Sequence, residues 1–552
     1  VDSTCSTASS HVRKTFEQLV KLLPSAEQTK PQILLLAGEV TGFRHDTDRE
    51  LVFRQESNFY YLTGCNVPSS FLLAAYQPGT SLEQTPSADL FIPEANEDDI
   101  MWSVPPPSLA VAAQSHDATR VDHPPALQET LTTLLTAHPG ALVHTLPRNS
   151  PLYPELPATY TSFALAQDSV AVTDYYLLTA LQNARLTKDA YEIELIRRAN
   201  AISSRAHEVV MRVLGQAVKN GLRQGAAAAD RPLLPGEWLI EKEAEAEAIF
   251  VASCRREGAV HQAYLPIVAA STRASTLHYC CNDRDFAWGP VSPHDHRNTA
   301  SFTTSSSLDK QILPQVLLID AGCEWSNYAS DITRTMPVGN GGKFTLEARA
   351  IYSLVLEMQH ASFALLKPGL HWDEVQLVCH HTLIRGFQRL GIFRSGAEHT
   401  KEAILASGLT AAFFPHGLGH SLGMDVHDVP TVSKPTDPIS GNIVILGEGA
   451  KPTVNEAKWG HQSLYRYLRL RRPLEQGMVV TVEPGIYFSP HLLGRAKAHD
   501  SSFVDAEVLK RYESVGGVRI EDVVVITEGG YENLTTVRSD VEWLEGVCSG
   551  VL

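Results

Sequence analysis

The chain has 552 residues, 43% hydrophobic and 20% charged, with a formal net charge of −16 and a pI near 5.8. That length suggests two or more domains, and the composition is that of a globular protein. The acidic balance argues against nucleic acid or an anionic membrane surface as partner, because no basic field is available to neutralise phosphates.

The eight cysteines (5, 65, 254, 280, 281, 323, 379 and 548) form no CxxC pair and are too sparse for a disulfide framework. The first 25 residues carry no apolar signal-peptide core, and no apolar run is long enough to span a bilayer. The expected location is cytoplasmic.

In chain order, residues 11–23 read as an amphipathic helix. QILLLAGEV, LFIPEA and ALVHTLP (starting at 32, 90 and 141) read as buried strands, SSFLLAAY (69–76) as an ambiguous one, and PALQETLTTLLTAH (125–138) as a helix. The expectation is an α/β domain over 1–185, without a ligand cluster. From residue 186 the pattern changes. Ile193, Ile196, Ala199, Ile202, Ala206, Val209 and Val213 recur near helical spacing, and Asp189 with Glu192 can form a capping box.

Helices are expected near 238–256, 345–366 and 372–390, and strands at VLLIDAG, MVVTVEP and VRIEDVVVIT, giving an α+β domain over 186–552. The stretches 215–236, 281–313 and 430–460 read as insertions, long for connections inside a compact domain.

Acidic residues lie in or beside those strands: Asp320 in LLIDAG, Asp331 in YASDITRT, Glu483 in TVEPGIYF and Glu521 in GVRIEDVVV. A lone Asp after a strand is ordinarily a turn or cap residue. The offset of eleven positions between Asp320 and Asp331, however, can bring two acids onto one face of a hairpin. A buried strand Glu is costly unless paired or metal-bound, so Glu483 and Glu521 point to function.

HGLGHSLGMDVHD holds His416, His420 and His427 among Gly417, Gly419 and Gly423. The glycines argue for an irregular segment that lets backbone approach a ligand. Four carboxylates with one imidazole suit two hard divalent cations, and the imidazole shifts preference toward Mn, Co, Fe or Zn. Two such ions, about 3.5–4 Å apart, make hydroxide from water and polarise a carbonyl.

These motifs resemble those of the Xaa-Pro peptidases of the pita-bread metallopeptidase family, prolidase and aminopeptidase P. The resemblance covers roughly residues 187–540 and extends to FRQESNFYYLTG (53–64). It implies an α/β N-terminal domain followed by an α+β pita-bread catalytic domain, in a homodimer. It also implies hydrolysis of the bond between an N-terminal residue and proline, with two divalent ions, manganese first and cobalt or zinc next. Asp320 would chelate one metal, Asp331 and Glu521 would bridge both, and His420 with Glu483 would hold the second.

His278 in STLHY and His427 would contact substrate or steady the tetrahedral intermediate. Tyr264, His416 and Tyr487 match pocket positions, and Arg519 would orient a ligand carboxylate. Arg469 matches an arginine that prolidases set near a dipeptide's carboxylate. Its alternative reading is a surface arginine in YLRLRRP. Trp102, in DDIMWSVP, resembles a tryptophan that reaches a neighbouring subunit's site, or else packs locally. Ser271 stands where the family usually has glycine.

A metal-free hydrolase resembling creatinase, or a non-catalytic relative, would lack part of the ligand set. A pocket repurposed for a non-peptide amide or ester stays open on sequence alone.

Overall fold

The computed structural model describes residues 8–45, 47–78, 86–148, 150–165, 170–220, 240–286, 312–429, 462–499 and 502–552. The chain divides into two compact units, 1–186 and 187–552.

The first unit is built on a mixed six-stranded sheet. Its strands are β1 (Gln32–Ala37), β2 (Phe71–Tyr76), β3 (Ser87–Phe91), β4 (Arg120–Asp122), β5 (Leu142–His144) and β6 (Ala171–Thr173), in the order β4-β3-β2-β1-β5-β6. β1 pairs antiparallel with β2 and parallel with β5. The ambiguous segment at 69–76 is thus a strand, and its register sets Leu35 opposite Leu73. On one face Ile33, Leu35, Leu73, Phe91 and Val143 meet Leu127, Leu131 and Leu135. Those three leucines repeat every fourth residue along the helix Leu127–Ala137, which makes a single apolar stripe. The opening helix, Ala8–Leu22, buries Val12, Phe16 and Leu19 on the same logic.

The second unit opens with a 30-residue helix, Ala190–Lys219, whose start carries the capping box: Asp189 accepts from the Glu192 N–H and Glu192 accepts from the Asp189 N–H. The first residues of the supposed 215–236 insertion belong to this helix. Gly215 lets its backbone lie against the helix Val541–Cys548, because a Cβ there would sit 2.0 Å from the Val547 carbonyl oxygen. Residues 221–239, 287–311 and 430–461, most of the three insertions, lie outside the described residues.

The strands here are β7 (Ile267–Ala270), β8 (Gln315–Asp320), β9 (Glu324–Trp325), β10 (Tyr328–Ala329), β11 (Thr333–Val338), β12 (Val479–Val482), β13 (Gly485–Tyr487), β14 (Gly517–Arg519), β15 (Asp522–Ile526) and β16 (Tyr531–Asn533). They form antiparallel groups β11-β8-β7, β12-β15-β16 and β13-β14, with β9-β10 a small hairpin. Helices Glu243–Arg256, Leu346–Phe363 and Trp372–Leu390 complete the framework.

One expectation needs correction. MVVTVEP and VRIEDVVVIT are not continuous strands: each breaks where its glutamate sits. Glu483 lies between β12 and β13, and Glu521 between β14 and β15, joined to Thr333 by a lone bridge. Asp320 and Asp331 do come together, though not as directly opposed cross-strand partners: the Tyr264 hydroxyl reaches a carboxylate oxygen of each at 2.5 Å. The register pairs Asp320 with Thr333, and the β9-β10 hairpin intervenes.

The described cysteines are all free thiols. Among the described residues, no helix is long and apolar enough to cross a membrane.

Candidate metal centre

The paired breaks in β12/β13 and β14/β15 turn two glutamates out of their ladders toward the end of β8. The pocket so formed, about 510 Å³, is lined by Asp320, Asp331, His420, Glu483 and Glu521 together with His278, His416, His427, Arg469, Tyr487 and Arg519. All five expected ligands and most of the expected substrate contacts therefore surround one cavity. Tyr264 meets the acids from behind: its hydroxyl lies 2.5 Å from both Asp320 Oδ1 and Asp331 Oδ1. One proton cannot serve both oxygens.

Asp331, His420 and Glu521 each offer a ligand atom within 4.8 Å of the others, and all three are buried. His420 Nδ1 donates to the Ser421 carbonyl at 3.1 Å, which leaves the Nε2 lone pair facing Asp331 Oδ2 at 3.3 Å and Glu483 Oε1 at 3.6 Å. That tautomer is the metal-binding one.

Glu521 Oε2 accepts from the Thr333 hydroxyl at 2.6 Å, while its Oε1 is buried without a hydrogen-bond partner. Such an orphan oxygen carries a desolvation penalty that a bound cation would relieve.

The electrostatics agree. Burial, then the charge of Asp320, lifts the Asp331 carboxyl. Burial, with Asp331, Glu483 and Asp320 adding repulsion, lifts Glu521 well above the usual carboxylate range. Glu483 is pushed up to about 7, burial again leading. Like charges crowded out of water raise one another's pKa until a cation neutralises them. The donor set thus fits divalent ions.

Beside the acids runs a directed chain of hydrogen bonds. Arg519 Nη2 donates to Asp320 Oδ2 at 2.5 Å and Nη1 to the Tyr487 hydroxyl at 2.8 Å. Tyr487 in turn stands 2.9 Å from His416 Nε2, and His416 Nδ1 lies 2.8 Å from the Gly417 carbonyl. With Arg519 donating to it, Tyr487 donates onward, so His416 is the neutral Nδ1–H tautomer. Burial pushes its pKa down to about 3. His278 and His427 are also lowered, first by burial. The His427 ring stands edge-on to His420, centroids 4.3 Å apart.

The glycines of the histidine segment also serve close packing, and Gly417 and Gly419 line the pocket as well. A Cβ on Gly419 would stand 2.0 Å from the Thr481 carbonyl oxygen, so this glycine lets the segment pack against β12. There the Thr481 hydroxyl accepts from the His420 N–H at 3.1 Å.

Four further residues escaped sequence reasoning. Thr333 accepts from Arg519 Nε at 3.0 Å while donating to Glu521. Arg334, fully buried, donates to the Glu521 carbonyl, Asp522 Oδ1 and the carbonyls of Thr333, Val537 and Arg538, and so holds the β14/β15 break open. Lys188 and Asp428 form a buried pair at 2.7 Å just after His427. The sequence signals were adjacency alone: Thr333 and Arg334 neighbour Asp331, and Asp428 follows His427.

A sequence model of metallopeptidase family M24 matches residues 194–528, and one of the aminopeptidase P N-terminal domain matches 11–144. A probable Xaa-Pro aminopeptidase of Paracoccidioides brasiliensis (strain Pb18) is 37% identical over 93% of this chain and 91% of its own. Another, from Pyricularia oryzae, is 36% identical over 98% and 96%. Among solved structures, aminopeptidase P from E. coli in its low-pH form superposes with a TM-score of 0.68 at 26% identity, covering 99% of this chain and 98% of that one. Pseudomonas aeruginosa aminopeptidase PepP gives 0.67 at 27%, covering 99% of each chain.

Proposed function

The chain belongs to metallopeptidase family M24, and on that premise we propose that it is a metal-dependent exopeptidase removing the N-terminal residue from peptides with proline in second place. Its fold is an α/β N-terminal domain with a pita-bread α+β catalytic domain. The observation that carries this reading is the convergence of four carboxylates and His420 on one pocket, with Glu521 Oε1 unpartnered.

Asp320, Asp331, His420, Glu483 and Glu521 would hold two divalent ions. Manganese is the expected metal, with cobalt or zinc as substitutes. When bound, such ions supply Lewis acidity and lower the pKa of water. The chain's own residues do the rest. Asp320 is held by Arg519 and Glu521 by Thr333, so neither carboxylate rotates away.

His278 and His427, kept neutral by burial, offer ring nitrogens to the oxyanion and the leaving proline nitrogen. An Xaa-Pro bond has no N–H to recognise, so its grip comes from the two ends of the substrate. The α-amine faces the acidic cluster. Arg469, which also lines the pocket, suits the carboxylate of a short peptide.

A second copy is the natural cover for Trp102, Met101 and Val104, which are 76%, 78% and 94% exposed. A homodimer is therefore proposed.

The test is hydrolysis of an Xaa-Pro dipeptide beside an Xaa-Pro-Yaa tripeptide, after dialysis against chelator and reloading with Mn²⁺. Cleavage of the tripeptide marks an aminopeptidase, and cleavage of the dipeptide alone marks a prolidase. Cleavage of neither by protein that has bound two metals overturns the reading.

A further inference from the structure

His278 does not stand on a regular element. It lies in the loop that leaves β7 after Ala270 and returns at Arg284, and this loop brings Ser275, Leu277 and His278 to the pocket wall. Loops are ordinarily the most mobile part of a fold. A side chain meant to meet developing charge must nevertheless be held to within a fraction of an ångström.

The loop's two ends meet at one carboxylate. Glu243, the first residue of helix Glu243–Arg256, is wholly buried. Its Oε1 accepts from the Ala270 N–H at 2.8 Å and from Arg273 Nε at 2.7 Å. Its Oε2 accepts from the Tyr279 hydroxyl at 2.7 Å and from the Arg284 N–H at 3.3 Å. One oxygen thus holds the outgoing end and the other the returning end, with His278 next to Tyr279.

Three of the four partners are N–H groups that can only donate, and the ionised carboxylate accepts from these and from the Tyr279 hydroxyl together. Burial raises the pKa of this carboxyl, and the neighbouring Arg273 charge, the four hydrogen bonds and the helix N-terminus oppose that by favouring the ionised form. On its other side the loop rests on the backbone of Gly516 and Gly517, where a Cβ would fall 2.3 Å from the carbonyl oxygens of Ser271 and Ala274. Ser271 itself is held at φ +58°, a left-handed conformation that serine adopts only under constraint.

We propose that Glu243 is the positioning residue for this loop: its carboxylate fastens both ends and thereby sets where His278 stands in the pocket. The proposal rests on the peptidase reading for the role of His278, while the clamp itself does not.

The experiment is a double-mutant cycle on Xaa-Pro-Yaa hydrolysis by the Mn²⁺-loaded enzyme. Glu243→Gln places an amide N–H₂ among four donors. It is expected to lower kcat about ten-fold with KM little changed, and to change kcat less than about two-fold when His278 is already alanine. Manganese affinity, set by residues on other elements, is expected to stay at the wild-type value. Losses that add in the double mutant, or a fall in manganese affinity, overturn the proposal.

Should Glu243→Gln fail to fold, Tyr279→Phe removes a single hydrogen bond. It is expected to show the same non-additivity at smaller amplitude, and additivity there is equally fatal. If the wild type cleaves no Xaa-Pro peptide, the peptidase reading fails. The clamp is then decided by amide hydrogen exchange across 271–279: faster exchange in Glu243→Gln supports it, and unchanged exchange overturns it.

Discussion

A ligand carboxylate does chemistry only when something else decides which way it points. Thr333 does this for Glu521, taking one oxygen and leaving the other bare. Glu521→Gln should therefore reduce hydrolysis by about three decades or more, because a neutral amide cannot balance two cations. Metal analysis should show less than the full pair retained; near-native turnover would refute the ligand role. Thr333→Val keeps the shape but loses the hydroxyl, and should weaken manganese binding by about ten-fold, one hydrogen bond to a charged group. Thr333→Ser should restore it, and titration calorimetry on the chelated protein reads both. Sequence named the five ligand-type residues because carboxylates and histidines in glycine-rich settings stand out. Thr333 did not stand out, since a threonine beside an acid is ordinary and its meaning lies 188 positions away.

At the level of elements, the strands were legible as apolar runs but their interruptions were not. VRIEDVVVIT reads as one strand by composition, and only packing reveals that it belongs to two sheets. The break persists because Arg334 satisfies the Glu521 and Thr333 carbonyls there. Arg334→Met removes those donors at once and should cost about 3–5 kcal/mol, since it leaves buried Asp522 with a lost partner. Chemical denaturation measures this, and a loss below about 1 kcal/mol would mean that the break holds itself. Gly419→Ala tests the other side of the pocket. Its methyl must displace β12 or the His420 segment, so manganese binding should fall even where the protein stays folded.

For the whole molecule, the two-unit organisation was visible as a change of hydrophobic period near residue 186, and the structure divides at 186/187. The long connections were visible only as unusual composition. The crowded carboxylates also set a stability signature. Glu483 titrates near 7 in the folded protein against an ordinary 4.5, and Asp331 and Glu521 shift the same way. Groups so shifted bind protons on folding, so the chelated protein should be most stable at acid-side pH and lose stability as pH rises from about 4.5 to about 7. Manganese should abolish most of that slope, because the cations then balance the charge. Melting temperatures from pH 5 to 8, with and without Mn²⁺, check the sign. Equal slopes would mean the acids are not the metal's ligands.

The glutamate breaks also order events in time. The five acidic and imidazole donors come from segments spread between residues 320 and 521, and the last of them is held in place through Arg334 by carbonyls at 537 and 538. No shorter stretch assembles the set. Contacts of such wide sequence separation form slowly and late, so cation capture belongs to the close of refolding rather than its nucleus. In refolding from denaturant, manganese should leave the early phases untouched and slow only the escape from the finished state. The ion would act as a latch on a completed catalytic unit, not as a seed for it.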